Sequence, residues 1–221
     1  EGINEISRNK FSGQDMASRH AQWIETIGEW KREQPLTYAK GDKYLKPQHV
    51  VRVLNEITGG NAIITTEVGQ NQMWAAQFYD FDKPRTLITS GGLGTMGYGF
   101  PAAIGAQVAF PNKLVIDIAG DGSIQMNIQE MATAVQNKLP VKIVILNNTY
   151  LGMVRQWQEL FYKHNYSSTS MTGQPDFVKL AEAYGAEGYR IMTEEELAPT
   201  LKKALASPNT AIIDAVVEPE E

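Results

Sequence analysis

The sequence predicts an α/β fold, a parallel central sheet with helices on both faces. Two observations carry that prediction. Apolar, β-branched runs alternate with helix-length amphipathic segments along most of the chain, the pattern of a sheet assembled from βαβ units. The runs are also continuous rather than alternating, as strands covered on both faces are. The clearest case is LVIDIA at 114–119, then one helix-length segment with apolar residues at Ile124, Ile128, Met131, Ala132 and Val135, then VKIVIL at 141–146. Polar residues stand at the carboxyl ends of both runs, Gly120-Asp121-Gly122 and Asn147-Asn148. Ligands of open parallel sheets bind at that edge.

At 221 residues the chain is long enough for one sizeable α/β domain and short for two. A net charge of −5 without a Lys/Arg cluster argues against a nucleic-acid partner. No run approaches the roughly 18 apolar residues of a membrane span, so no membrane partner is expected. Cysteine is absent, which removes disulfides, zinc-thiolate sites and a thiol nucleophile together. The chain opens Glu1-Gly2-Ile3, without an initiator Met or a charged-then-apolar leader, and reads as a piece of a longer polypeptide.

Residues 1–13 are polar and irregular. Helical spacing over 14–31 puts Met16, Ala17, His20, Trp23, Ile24, Ile27 and Trp30 on one stripe, with both tryptophans expected to pack on the domain. Residues 33–44, with Pro35 and Gly41, read as a connection. Pro47 opens a helix with Val50, Val51, Leu54 and Ile57 inward, and Gly59-Gly60 ends it. Residues 61–66 are a buried strand, from whose end Glu67-Val68-Gly69-Gln70 leaves. A short helix over 71–78 and a strand over 86–89 lead into SGGLGTMGYGFP and an alanine-rich helix over 101–109. After the central βαβ unit come a helix over 151–162, a polar loop over 163–173 and a helix over 175–184. A strand over 188–191, a helix over 194–206 and a strand over 211–217 complete the chain, and His49 and His164 fall at surface or loop positions.

Gly92-x-Gly94-x-x-Gly97 follows a strand and precedes a helix, which matches the dinucleotide fingerprint, with Asp117 at about the right distance onward. Two details argue against a dinucleotide. Asp117 lies inside its apolar run, whereas the ribose-binding acid belongs at a strand's end. Pro101 delays the helix, leaving Gly99-Phe100 as further turn. A plain tight turn and a close backbone approach to some other cofactor remain.

Asp121 and Asn148 end adjacent strands. A hard divalent cation takes oxygen ligands, and Mg²⁺ shares its shell with waters and phosphates. One carboxylate, one amide oxygen and a carbonyl just beyond Asn148 would supply half an octahedron. Gly120 and Gly122 let the backbone approach a phosphate, and a helix beginning near Ser123 would aim free N–H groups at it. Singly, each pair is also a turn or a cap; jointly, their spacing brings them side by side.

The GDG and NN pairs, separated by residues 123–146, resemble the signature of thiamine-diphosphate enzymes. EVGQNQMWAAQF, SGGLGTMGYGFPAAIGA and NNTYLGMVRQWQELF are similar to the C-terminal cofactor domain of the acetohydroxyacid synthase (acetolactate synthase) catalytic subunits. The resemblance covers 45–221 and implies that 1–44 are the tail of a preceding domain with its connection. It implies Mg²⁺ on Asp121, Asn148 and the Tyr150 carbonyl, and a diphosphate at Gly120, Gly122, Ser123 and Leu151-Gly152. Gln70 and Asn71 would meet the diphosphate from the opposite side. Relatives often carry His where Asn71 stands; an amide still donates to phosphate, without charge. Gly94 would accept from the aminopyrimidine through its carbonyl, Met96 would sit under the bend between the two rings, and Met153 would cover the other side. Trp157, one turn beyond Met153, would line the substrate channel and favour 2-oxobutyrate as second substrate. Core packing for Met96 and a buried, helix-anchoring role for Trp157 are the alternatives.

The implied reaction decarboxylates pyruvate on thiamine diphosphate and condenses it with a second pyruvate or 2-oxobutyrate, toward valine, leucine and isoleucine. The glutamate that activates the cofactor belongs to another domain in this superfamily; Glu67 stands at a strand end but fits no family pattern for that role. FAD is held by a middle domain outside these residues. The chain alone is therefore expected to be inactive. The resemblance further implies a homodimer or higher oligomer, a regulatory small subunit and a bacterial-type cytoplasmic setting, with plastid and mitochondrion open. A non-catalytic cofactor-binding subunit is one alternative. Another is a different pyruvate-using enzyme, such as a pyruvate oxidase or glyoxylate carboligase, against which GMVRQWQ argues.

Overall fold

The structure is a computed structural model that describes residues 13–39 and 44–219, the side chains of 13–17 excepted. The polar start expected before Gly13, part of the connection at 40–43 and the side chains of Met16 and Ala17 lie outside the described residues. The chain divides into two units, Glu1–Tyr38 and Ala39–Glu221. In the first, helix α1 (Gly13–Glu33) carries the expected stripe. Trp23 and Trp30 meet edge to face with ring centroids 5.4 Å apart, and both are more than half exposed.

The second unit is a six-stranded, all-parallel sheet with helices around it. Helix α2 (Pro47–Thr58) starts on its proline and ends where Gly59 N–H reaches Asn55 O at 2.8 Å; Val50, Val51 and Leu54 are buried. Strand β1 (Ile63–Thr66), helix α3 (Gln70–Phe78) and strand β2 (Leu87–Thr89) follow. Helix α4 (Gly99–Ala109) leads to β3 (Val115–Gly120), and β4 (Lys142–Asn147) lies beyond the central crossover. After α5 (Asp121–Ile124) and α6 (Met131–Gln136) of the crossover come α7 (Gly152–Phe161), α8 (Phe177–Tyr184), β5 (Glu187–Ile191), α9 (Glu194–Ala206) and β6 (Ala211–Val216). The spatial order is β2-β1-β3-β4-β6-β5. Val115, Ile116 and Ile118 of β3 and Ile143 and Ile145 of β4 are fully buried, as continuous apolar runs covered on both faces require.

Two expectations change. The crossover between β3 and β4 is not one helix but α5 (Asp121–Ile124), a 3₁₀ segment (Gln125–Glu130) and α6 (Met131–Gln136). The break falls at Asn127, with φ −134° and ψ 32°, whose side chain donates to Gly97 O at 2.6 Å. Of the expected stripe, Ile124 and Met131 are buried and Ile128 and Val135 half-buried, but Ala132 is exposed and Ala134 is buried instead, and a tertiary hydrogen bond overrides the local period. Pro101 does not delay the helix either. It is the third residue of α4, inside the first turn, where a missing N–H costs nothing.

Lys142 is 1% exposed at the amino edge of β4. Its Nζ donates to the carbonyls of Ser207, at 2.8 Å, and Asn209, and burial lowers it to about 8 against the pull of Glu187. A cation can stay there because the chain end of α9 gives it carbonyls.

Phe177, fully buried, joins α8 to the core cluster that also holds Ala106, Ile143 and Ile212. Phe177→Ala is expected to lower the unfolding free energy by about 3–5 kcal/mol in urea titrations, as a cavity of that size does.

Candidate functional site

From β1 the chain passes to β2 on one side and then crosses to β3 on the other, so the strand order reverses between β1 and β3. Crevices at such points, outside the carboxyl ends of the strands, are where ligands of this architecture bind. A cleft with about 420 Å³ of empty space, open to solvent, lies there. The register of β3 and β4 sets its walls. Gly120 pairs with Leu146, so Asp121 and Asn148 leave the sheet as neighbours.

The cleft gathers Gln70 and Asn71 from the end of β1 and Gly120, Asp121, Gly122 and Ser123 from the end of β3. Asn148, Tyr150, Leu151, Gly152 and Met153 come from the end of β4, and Met96 from the glycine-rich loop. Gly94 and Trp157 are not among its lining residues.

Asp121 is 1% exposed, and its Oδ2 is buried without a hydrogen-bond partner. Burial pushes its carboxyl up to about 7, against the amide hydrogens of Gly122, Asp121 itself and Thr149, with Asp214 adding to the rise. Asn148 is fixed on both sides of its amide. Its Nδ2 donates to Gln70 Oε1 at 3.2 Å, and its Oδ1 accepts Tyr150 N–H at 3.1 Å. Gly152 packs against that pair, where a Cβ would collide with Gln70 Oε1 and stand 2.9 Å from Asn148 Nδ2. Asn147 points the other way, donating to Asp214 Oδ1 at 2.8 Å and accepting from Gln174 at 2.7 Å. Asp214 in turn takes Arg190 Nε at 3.1 Å. The two adjacent asparagines thus divide the work, one into the sheet and one into the cleft.

Among the described residues no group of three His, Cys, Asp or Glu side chains could hold a metal ion. A cation in this cleft would rely on one carboxylate with amide and carbonyl oxygens, a set that suits a hard ion. The unpartnered Asp121 oxygen fits that use, since a buried carboxylate oxygen left without a partner is costly.

Asn71 departs from its expected use. It is 3% exposed, and its Nδ2 donates to Glu67 O at 3.1 Å and Ile118 O at 2.9 Å. Both amide hydrogens are spent tying β1 to β3, so none is left for a phosphate. Trp157 is 57% exposed, which removes the buried-anchor alternative. It packs edge to face on Phe161, at 6.1 Å, and shares a second hollow with Met153, Val154 and Tyr162. His164 is exposed beside Tyr166, and neither it nor His49 lines the cleft.

Three residues of the site escaped the sequence. Glu67 is fully buried, and its carboxylate accepts amides of the glycine-rich loop. Asn127 holds the same loop by the bond described above, and Asp214 orients Asn147. An acid directly after an apolar strand was the one visible signal, and only for Glu67. Asp117, also fully buried, accepts Thr65 Oγ1 at 2.9 Å; burial, then the Glu67 charge, hold it well above the carboxylate range. An acid buried inside the sheet and engaged by Thr65 is no ribose ligand.

The family description "Thiamine pyrophosphate enzyme, C-terminal TPP binding domain" matches residues 67–215. The chain is 50% identical over 204 residues to the mitochondrial acetolactate synthase catalytic subunit of Saccharomyces cerevisiae, covering 90% of this chain and 29% of that one. It is 51% identical over 183 residues to the acetolactate synthase isozyme 3 large subunit of Escherichia coli, covering 83% and 32%. Acetolactate synthase 1, chloroplastic, of Nicotiana tabacum is 43% identical over 228 residues, covering 100% and 34%. The chain therefore spans about a third of the length of these curated relatives. No helix among the described residues is long and apolar enough to cross a membrane.

Thr149, between Asn148 and Tyr150, has φ 62°, a left-handed conformation that β-branched residues rarely adopt. Its carbonyl accepts Met171 N–H at 2.7 Å, which helps keep it there. Thr149→Asn, which tolerates that conformation, is expected to raise stability by about 1 kcal/mol in denaturant titrations.

Proposed function

The chain belongs to the thiamine pyrophosphate enzymes as their C-terminal cofactor-binding domain, and from that premise we propose that it serves an acetolactate synthase catalytic subunit. The observation that carries the reading is the buried, unpartnered Oδ2 of Asp121 beside Asn148. In this reading Mg²⁺ is held by Asp121, Asn148 Oδ1 and the Tyr150 carbonyl. The backbone of Gly122, Ser123 and Leu151-Gly152, with Gln70 opposite, receives the diphosphate. Asn71 serves as a strut behind Gln70. Gly94 takes the aminopyrimidine, Met96 supports the bend between the rings, Met153 covers them, and Trp157 borders the substrate path one turn further along α7.

Thiamine diphosphate, when bound, supplies the carbon nucleophile and electron sink for decarboxylating pyruvate and joining it to a second 2-oxo acid. The residues of this chain bind, orient and exclude water. Among the described residues no glutamate lines the cleft. The activating acid and the FAD site are accordingly assigned to the two thirds of the relatives that this chain does not span, and a homo-oligomer and a regulatory small subunit to the full-length protein. By itself the chain is expected to bind Mg²⁺–thiamine diphosphate and form no acetolactate. Acetolactate production by the purified chain at a rate near that of a full-length synthase would refute the division of labour.

Calorimetric titration with Mg²⁺ and thiamine diphosphate tests the site. Asp121→Ala should weaken binding about 100-fold, since the one charged ligand is gone; equal binding would remove the metal assignment. The same titration has a defined pH dependence. The metal needs the ionised carboxylate, and a carboxyl at about 7 is ionised in roughly one molecule in ten at pH 6 and nine in ten at pH 8. Binding should therefore weaken about tenfold from pH 8 to pH 6, and an unchanged affinity would contradict it.

A further inference from the structure

Glu67 is 0% exposed, and its side chain spans two parts of the site. Oε2 accepts Gly97 N–H at 2.6 Å and Oε1 accepts Phe100 N–H at 3.0 Å. The backbone of Glu67 is fixed in the sheet, its N–H on Ile118 O at 3.1 Å and its carbonyl under Asn71 Nδ2 at 3.1 Å. The glycine-rich loop is anchored elsewhere as well. Ser90 receives the amides of Gly94 and Thr95 at 3.1 and 3.0 Å, and Asn127 holds Gly97 O. Gly97 has φ 89° and no room for a side chain, since a Cβ would stand 2.8 Å from Met126 Cβ. Met96, the one residue of 91–97 that lines the cleft, directly precedes that clamped position.

Burying a carboxylate is expensive, and a side chain that only filled space here would be apolar. Two carboxylate oxygens accept two amide hydrogens at once, whereas a glutamine would turn an NH₂ group against one of them. We propose that Glu67 is a positioning residue, whose buried carboxylate clamps the amides of Gly97 and Phe100 and so fixes where Met96 stands in the cleft. The inference rests on the thiamine diphosphate reading of that cleft. Its selectivity follows from the fold. The clamp controls the wall that meets the rings of the cofactor, while the diphosphate end is built by the ends of β3 and β4 with Gln70 opposite.

The test compares the chain with its E67Q variant, titrating each with thiamine diphosphate and with inorganic pyrophosphate in the presence of Mg²⁺. In E67Q, thiamine diphosphate should bind about tenfold more weakly, and pyrophosphate within about twofold of the wild type. A variant that is merely less stable would lose both ligands together, and either that result or unchanged binding of both overturns the inference. A wild-type chain that binds pyrophosphate but gains nothing from the thiamine rings also overturns it. One that binds neither ligand overturns the reading of the cleft, and this inference with it. Hydrogen exchange on the wild type needs no variant. The Gly97 and Phe100 amides should be as protected as those of β3, and exchange as fast as that of the exposed loop residue Leu93 would show that no clamp exists.

Discussion

The pairing of β3 with β4 is the constraint on which the site depends. A parallel ladder admits no partial slip, because moving one strand by one residue turns every side chain to the other face. With Gly120 opposite Leu146, the first residues free of the sheet are Asp121 beyond β3 and Asn148 beyond β4. Asn147 remains engaged with Asp214 of β6, and Asn148 enters the cleft. The fully buried isoleucines and valines of these strands do not touch a ligand, yet they hold the polar ends in alignment.

Much of this was legible from the chain alone, and for an identifiable reason. Continuous apolar runs bounded by glycine and proline leave few alternatives to a buried parallel strand, so all six strands are found within two residues of their expected bounds. The gathering of residues from the ends of β1, β3 and β4 follows from the same alternation. What stayed hidden was decided by contacts distant in sequence. The crossover keeps a helical period while Asn127 abandons the helix for Gly97, thirty residues away. Pro101 looked like a helix start, but the first-turn amide of Phe100 is served by Glu67. Asn71 looked like a phosphate donor, but the carbonyls of Glu67 and Ile118 claim it.

The buried polar groups are sorted by edge. At the amino edge, Lys142 is hydrogen-bonded by carbonyls just beyond the end of α9. At the carboxyl edge Glu67 and Asp121 are buried, with Asp117 deeper inside β3. Their partners are amide hydrogens, a hydroxyl and one another's fields. Burial raises all three acids above their ordinary values.

Helix α7 has one further consequence. It carries Met153 on the cleft wall and, one turn on, a face where Val154, Trp157, Leu160 and Phe161 are each more than half exposed. No residue of this helix is fully buried. The wall of the cleft therefore borrows little rigidity from the core. Were a partner to cover that face, any effect it had on a ligand at Met153 would be returned by the ligand on the partner in equal measure.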